Sequence, residues 1–313
     1  MSPFSKLISP RFPPAALGLE SSNATVVHLD RSRNGFSIRR AATSTLPENL
    51  LHPSFDEQNI SDATTLVGLL SEVALSAGLG KQRKWSVALP EAATRTAILT
   101  LESAPASRAE LEEVLRWKYE RAFGAAETEL RVSRERLLQD AQGRQRYLAV
   151  GIRLSVLDEY EAVFEAMGWR AGLILPRHQG EARWVRMPGG GDSLLISSHA
   201  EGFTALVLRD KQPAIVRSVM CEAEDRDDEL YRLLLFYRDR VASADGVEGA
   251  HALGSLLVVG EGLDIEHIGE LVHETLETRP RILHSSDVGL ALPSNELSFD
   301  ALAAPAGLAT LAW

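Results

Sequence analysis

The residues that could carry chemistry fall into a few short stretches. Ser198, His199 and Glu201 share one turn, in the pattern Ser197-Ser198-His199-Ala200-Glu201-Gly202, and on paper supply a nucleophile, a base and a carboxylate. Nearness in sequence is not the geometry of a relay, and no oxyanion loop accompanies the three, so the stretch reads as a polar turn. Cys221 is the lone cysteine, without a neighbouring His or basic run to lower its pKa, and reads as a passive strand-end residue in a reducing compartment. The eight histidines show no metal-ligand spacing: His267 and His273 are six residues apart and fall on different faces of one helix. Gly260-Glu261-Gly262 follows a continuous apolar run, where a backbone can approach a phosphate or simply turn. A second polar turn, Glu20-Ser21-Ser22-Asn23, sits between apolar runs near the start of the chain.

Composition removes several function classes. The 313 residues allow two domains, each with its own core, and 45% hydrophobic with 24% charged residues is ordinary for a globular protein. A net charge of −10 argues against a nucleic-acid surface. Clusters such as Arg39-Arg40 and Lys81 to Lys84 read as solvated loop ends. The proline-rich first fourteen residues are not a secretory signal, and no run reaches the ~20 apolar residues that span a bilayer. The chain is expected to be soluble and cytoplasmic, reaching the membrane only through a partner.

The elements that hold these stretches are legible as periodic patterns. Ser193 to Val219 reads as three short strands joined by tight turns, and Leu17 to Ala42 reads the same way, so the two halves open alike. A helix starts at Ser61 or Asp62, with Leu66, Leu69, Leu70 and Val73 on one face, and stops at Gly78. Trp85 to Leu89 and Thr94 to Leu101 are strands. Ser107 with Glu110 forms a capping box opening a helix to Phe123, with Leu111, Val114 and Leu115 as its buried stripe and Trp117 and Tyr119 off it. Two strands follow around the turn at Gly143, then a helix capped by Ser155, then a strand from Trp169 to Leu175. Past Pro188-Gly189-Gly190-Gly191, which reads as a hinge, come the second meander, a helix from Asp225 to Val241, a buried strand from Leu253 to Val259, a helix capped by Asp264, a short strand at Arg281, and a helix from Phe299 containing Pro305.

This order of parts resembles the PilM family of actin-like proteins of type IV pilus assembly, relatives of FtsA. The pieces that carry it are Lys84 to Leu89 leading into Ala88-Leu89-Pro90, the helix Glu110 to Phe123 with Trp117 followed by Glu120, and the ending Phe299 to Leu311. The resemblance implies an α/β fold of two actin-like domains: a tail at 1–14, a first domain at 15–187 with an inserted α+β subdomain at about 106–176, a hinge at 188–192 and a second domain at 193–313. It also implies a nucleotide cleft at Glu20, Ser21, Ser22, Asn23, Gly202, Gly260 and Gly262. The turns depart from the family there: Glu20 and Ser197 stand for its aspartates, and His199 and Glu201 replace glycines. A carboxylate ~4 Å from a phosphate repels it by ~4 kcal/mol at an effective dielectric of ~20, a large share of the ~8 kcal/mol that micromolar affinity needs. The cleft is therefore expected to be vestigial and no cofactor is expected; ATP with Mg²⁺ enters only under the alternative of an active ATPase switch.

The implied function is a scaffold that binds the N-terminal cytoplasmic segment of a PilN-like membrane protein and links it to assembly components, a pilus assembly ATPase among them, at the inner face of the cell membrane. Trp117 and Tyr119 are its candidate partner contacts. The cytoplasmic domain of the type II secretion protein GspL is a related alternative, although that protein continues into a membrane span and this sequence ends at Trp313.

Overall fold

The computed structural model describes residues 12–33, 35–185, 191–239, 252–260, 262–292 and 297–313. It begins with an antiparallel meander, β1 (Ala15–Leu19), β2 (Asn23–Ser32) and β3 (Gly35–Thr45), followed by helix α1 (Ala63–Ser76) and strand β4 (Lys84–Leu89). Next come β5 (Arg95–Thr100), α2 (Arg108–Phe123), β6 (Leu130–Leu137), β7 (Arg146–Arg153), α3 (Leu154–Ala166), β8 (Arg170–Pro176) and α4 (Arg177–Val185). The second half holds β9 (Asp192–His199), β10 (Gly202–Arg209), β11 (Gln212–Met220), α5 (Arg226–Tyr237), β12 (Leu253–Val259), α6 (Ile265–Leu276), β13 (Arg281–Ile282), β14 (Leu290–Ala291) and α7 (Phe299–Ala309).

Two larger sheets repeat one topology. The first has the order β14-β3-β2-β1-β4-β8 and the second β11-β10-β9-β12-β13. In each, the first strand of a meander pairs parallel with a strand that arrives after a helix, β1 with β4 and β9 with β12. The likeness of the two openings seen in the sequence is thus a repeat of fold. Parallel strands covered on both faces must be apolar throughout, and β1, with all five residues buried, is.

The helices start where short polar side chains satisfy the first backbone donors. Asp62 accepts from the amides of Thr64 and Thr65, Asp264 from those of Glu266 and His267, and Ser107 from that of Glu110. Each such cap contributes about 1 kcal/mol. The buried stripe of α1 is Leu66, Leu70, Val73 and Ala74, and each buried leucine adds about 2 kcal/mol through its lost contact with water. Ser155, by contrast, is not a cap: α3 begins at Leu154, the cap position is Arg153, and no side chain closes that end.

Sheet membership separates a small three-stranded unit from the first sheet. The small sheet has the order β5-β7-β6 and packs under α2 through Leu99, Leu115, Phe123 and Tyr147. Strand β8 joins β4 in the first sheet, and α3 packs in the first core with α1. The C-terminal piece, for its part, returns to the first half: β14 pairs with β3, and α7 lies on β1, β2, β4 and α4. Helix α4, which no apolar period announces, fills the space between the two sheets.

Small residues explain the closeness of α4 and α7. A Cβ built at Gly180 would sit 2.1 Å from the Ala304 carbonyl oxygen, and one at Gly307 would sit 1.9 Å from that of Gly180. Pro305 stays inside α7 with its ring against Gly18 of β1. The proposed hinge at 188–192 lies mostly outside the described residues, as do the tail at 1–11, Val241 and Glu261.

Candidate functional site

Strands β1, β4, β8, β9 and β12 all end toward the space between the two sheets, the end of a parallel sheet at which ligands of α/β proteins gather. Glu20 follows β1, Glu91 follows β4 after Pro90, Arg177 follows β8, His199 ends β9 and Gly260 follows β12. The fold therefore brings the two polar turns and the glycine turn to one region.

A buried ion cluster fills the middle of it. Arg177, 1% exposed, lies with Nη1 2.9 Å from Glu20 Oε2 and Nη2 2.8 Å from Glu181 Oε1, while its Nε donates to the same Glu181 oxygen at 2.9 Å. Burial works against a charged guanidinium here, and Glu181 and Glu20 outweigh it, so Arg177 stays a cation. Beside it the ring Nδ1 of His178 lies 2.5 Å from Glu91 Oε1, and Thr204 of β10 donates to that oxygen at 3.0 Å. An ionised carboxylate only accepts, so Nδ1 carries the proton. Burial pushes the Glu91 carboxyl up, but His178, His199 and Thr204 together hold it at about 2. Glu91 thereby ties the end of β4, helix α4 and the second sheet.

The turn residues have the following places. Glu20 is taken up by Arg177, and its amide donates to the Asn23 carbonyl at 2.9 Å, closing the first turn. Ser21 and Ser22 line a cavity of about 530 Å³ with Ala200 and Glu201 of the second turn. Its remaining wall includes Glu48, Glu57 and His52 and, among the described residues, neither Lys nor Arg. Two of the glycines lie close against backbone: a Cβ at Gly202 would lie 2.0 Å from the Val219 oxygen and one at Gly260 2.2 Å from the Ser198 oxygen, both at positive φ. Gly262 makes room for the Arg226 guanidinium, which donates to Ser198 Oγ at 3.2 Å and to the His199 carbonyl at 2.8 Å. His199 pairs with Glu201 at 3.1 Å, so the turn is knit together as a structural unit.

A further cavity of about 410 Å³ opens between the small subdomain and the two main sheets, lined by Phe55, Glu91, Thr96, Ala122, His199 and Met220 among others. Neither expected partner contact lines it. Tyr119 is 6% exposed, i+4 from Leu115 on the buried stripe of α2, where it stacks on Phe123 and receives a hydrogen bond from Arg134. Trp117 is 54% exposed and stands about 140° around the helix from Ala122, at about 100° per residue. Cys221 is half-buried and its thiol is pushed up by burial, consistent with a passive role. Among the described residues no cluster of His, Cys, Asp and Glu could hold a metal ion, and no helix is long and apolar enough to cross a membrane.

The residues missed by sequence reasoning are Glu91, Arg177, His178 and Glu181. The available signal was the i,i+4 pair Arg177 and Glu181 directly after a strand.

Two sheets of one topology, closed on a cleft at their strand ends and carrying an inserted subdomain on the first, define an α/β protein of the actin-like fold. In particular, the fold is that of the solved "PilM-PilN type IV pilus biogenesis complex", to which this chain is similar with a TM-score of 0.75 over 97% of its length and 99% of that chain, at 18% identity. Less similar are the cytoplasmic domain of EpsL, an inner-membrane component of the Vibrio cholerae type II secretion system (TM-score 0.47, 13% identity, 95% of this chain and 93% of that one), and a Bacteroides thetaiotaomicron protein with an actin-like ATPase fold (0.47, 13%, 99% and 99%). No protein-family model and no curated protein sequence matches the chain.

Proposed function

We propose that this chain is an adaptor of type IV pilus assembly, which receives the N-terminal segment of a PilN-like membrane protein and works without nucleotide. The observation that carries the assembly role is the end-to-end likeness to a chain seen in a PilM–PilN complex. The adaptor sits at the inner face of the cell membrane through this partner and passes the contact on to other assembly components. The 410 Å³ groove supports the docking part, because it lies between the small subdomain and the main body and mixes an aromatic floor at Phe55 with polar groups from three elements.

Two features support a vestigial nucleotide cleft. The guanidinium of Arg177 is spent on Glu20 and Glu181 within the protein. The cavity between the turns presents Glu48, Glu57 and Glu201, whose charge repels a triphosphate.

The test is titration of a synthetic PilN-type N-terminal peptide into the chain and two variants, with melting temperatures measured alongside. Ala122→Trp fills the groove from an exposed helix position and is expected to weaken binding by about tenfold or more with little change in melting; Trp117→Ala probes the other exposed face of α2. Undiminished binding to Ala122→Trp would remove the groove as the site.

A further inference from the structure

The end of the first sheet remote from the cleft carries a second polar site. β2 and β3 pair residue by residue from Asn23 opposite Thr45 to His28 opposite Arg40, and the next pair is Leu29 with Ile38. Arg39 is the extra residue of a β-bulge. Adjacent side chains of a regular strand face opposite sides, but a bulge re-aims them. Here both Arg39 and Arg40 line one hollow of about 280 Å³, together with His28 from the facing strand and Lys81 and Gln82 from the loop after α1.

The hollow runs against the charge of the molecule. The chain carries −10, yet among the described residues this wall holds three cations and no carboxylate, with Asp30 3.7 Å from Arg39 and 3.9 Å from His28 Nδ1. Arg40 is already set in place. One of its Nη1 hydrogens goes to the Gly78 carbonyl just past the end of α1, where a glycine at φ +67° leaves room for the guanidinium. Its Nε and Nη2 donors and the Lys81 ammonium make no hydrogen bond among the described residues. His28 Nδ1 is shielded from water and lacks a hydrogen-bond partner, and burial together with Arg39 and Arg40, against Asp30, lowers its pKa. The attraction of a helix C-terminus accounts for Arg40. It does not account for the convergence of Arg39, His28 and Lys81 through a bulge.

We propose that this hollow binds the phosphate group of a phosphomonoester, with Arg39, Arg40 and Lys81 donating to its oxygens and His28 completing the donor set. Forked guanidinium donors beside a point-charge ammonium suit a doubly charged tetrahedral anion. The inference does not depend on the pilus reading. The phosphate can belong to a soluble ester or to a lipid headgroup, and the experiment separates the two.

Inorganic phosphate is titrated into the full chain at constant ionic strength against a chloride control, read by calorimetry and by the His28 ring resonance, which is assigned from its loss in His28→Gln. Saturable binding is expected, with Arg39→Gln and Lys81→Gln each weakening it by about tenfold or more, the loss expected for one charge-assisted hydrogen bond. Both positions are exposed, so these variants should fold. Cosedimentation is then run with phosphatidylcholine vesicles with and without phosphatidic acid: binding that needs phosphatidic acid and that phosphate displaces marks a headgroup, and phosphate binding without vesicle binding marks a soluble ester. A response equal to that of chloride, or one unchanged in both variants, overturns the proposal.

Discussion

Glu91→Gln should remove the acid sensitivity that the domain junction builds into folding. Glu91 is 4% exposed and accepts from His178 and Thr204, contacts that hold its carboxyl at about 2 against an ordinary 4.5. At about 1.4 kcal/mol per tenfold, the interval corresponds to about 3 kcal/mol of stability at neutral pH. A carboxyl depressed in the folded state contributes fully above its unfolded value, and the contribution is lost as pH falls through the folded value. The window is therefore from about 4.5 down to about 2. Glutamine keeps the shape and an acceptor for Thr204 but cannot ionise, so the variant lacks this contribution at every pH. Urea unfolding of both proteins between pH 7 and pH 2 is the assay, and the difference between them cancels the other carboxylates, which titrate in both. The variant should be less stable by about 3 kcal/mol at pH 7 and the two curves should converge near pH 2. A difference that stays constant across the range would show that Glu91 acts through shape alone and would refute the reasoning.

Millimolar Mg-ATP should leave the melting temperature in place, whereas a ligand at about a hundred times its dissociation constant adds about 2.7 kcal/mol and a plain upward shift; such a shift would reinstate Glu20 and the two turns as a working site. Gly180→Ala should destabilise although alanine is the better helix former by about 1 kcal/mol, because the new Cβ would meet the Ala304 carbonyl; a gain in urea midpoint would mean that α4 and α7 are not in that contact. Tyr119→Ala should cost about 3 kcal/mol or more and Trp117→Ala less than about 1, the difference between a stacked core ring and an exposed one. Equal losses in thermal unfolding would contradict the placement of α2.

What was legible in the sequence is what neighbouring residues decide among themselves. Asp62, Ser107 and Asp264 cap helices because their carboxylates or hydroxyl reach amides two or three positions away, and such reach depends on no distant partner. The two meanders showed themselves the same way, through apolar runs broken by short polar turns. Choice of partner strand is not of this kind. β5 and β8 look alike as isolated apolar runs, and nothing local says that one joins the small sheet and the other joins β4. Tyr119 belongs to the stripe of Leu115, one turn further along the helix, and a stripe that ends at Leu115 leaves it out.

The cleft illustrates the harder case. Helix α4 is hard to see because Arg177, His178 and Glu181, residues that ordinarily mark a solvated surface, share its buried side with Ala182, Trp184 and Val185 and break any apolar period. They are buried only because carboxylates from β1's turn and from the end of β4 arrive at the same place, and each of those strand ends is set by sheet pairing far along the chain. Glu20 could be read from sequence as an acid in a turn, with its charge counted against a phosphate. The same charge is better explained by its partner, since an uncompensated buried guanidinium would cost several kcal/mol and Glu20 with Glu181 removes that cost. The acid of the first turn is thus the acid that lets α4 close the gap between the two sheets, because its charge compensates the guanidinium that the helix brings inside.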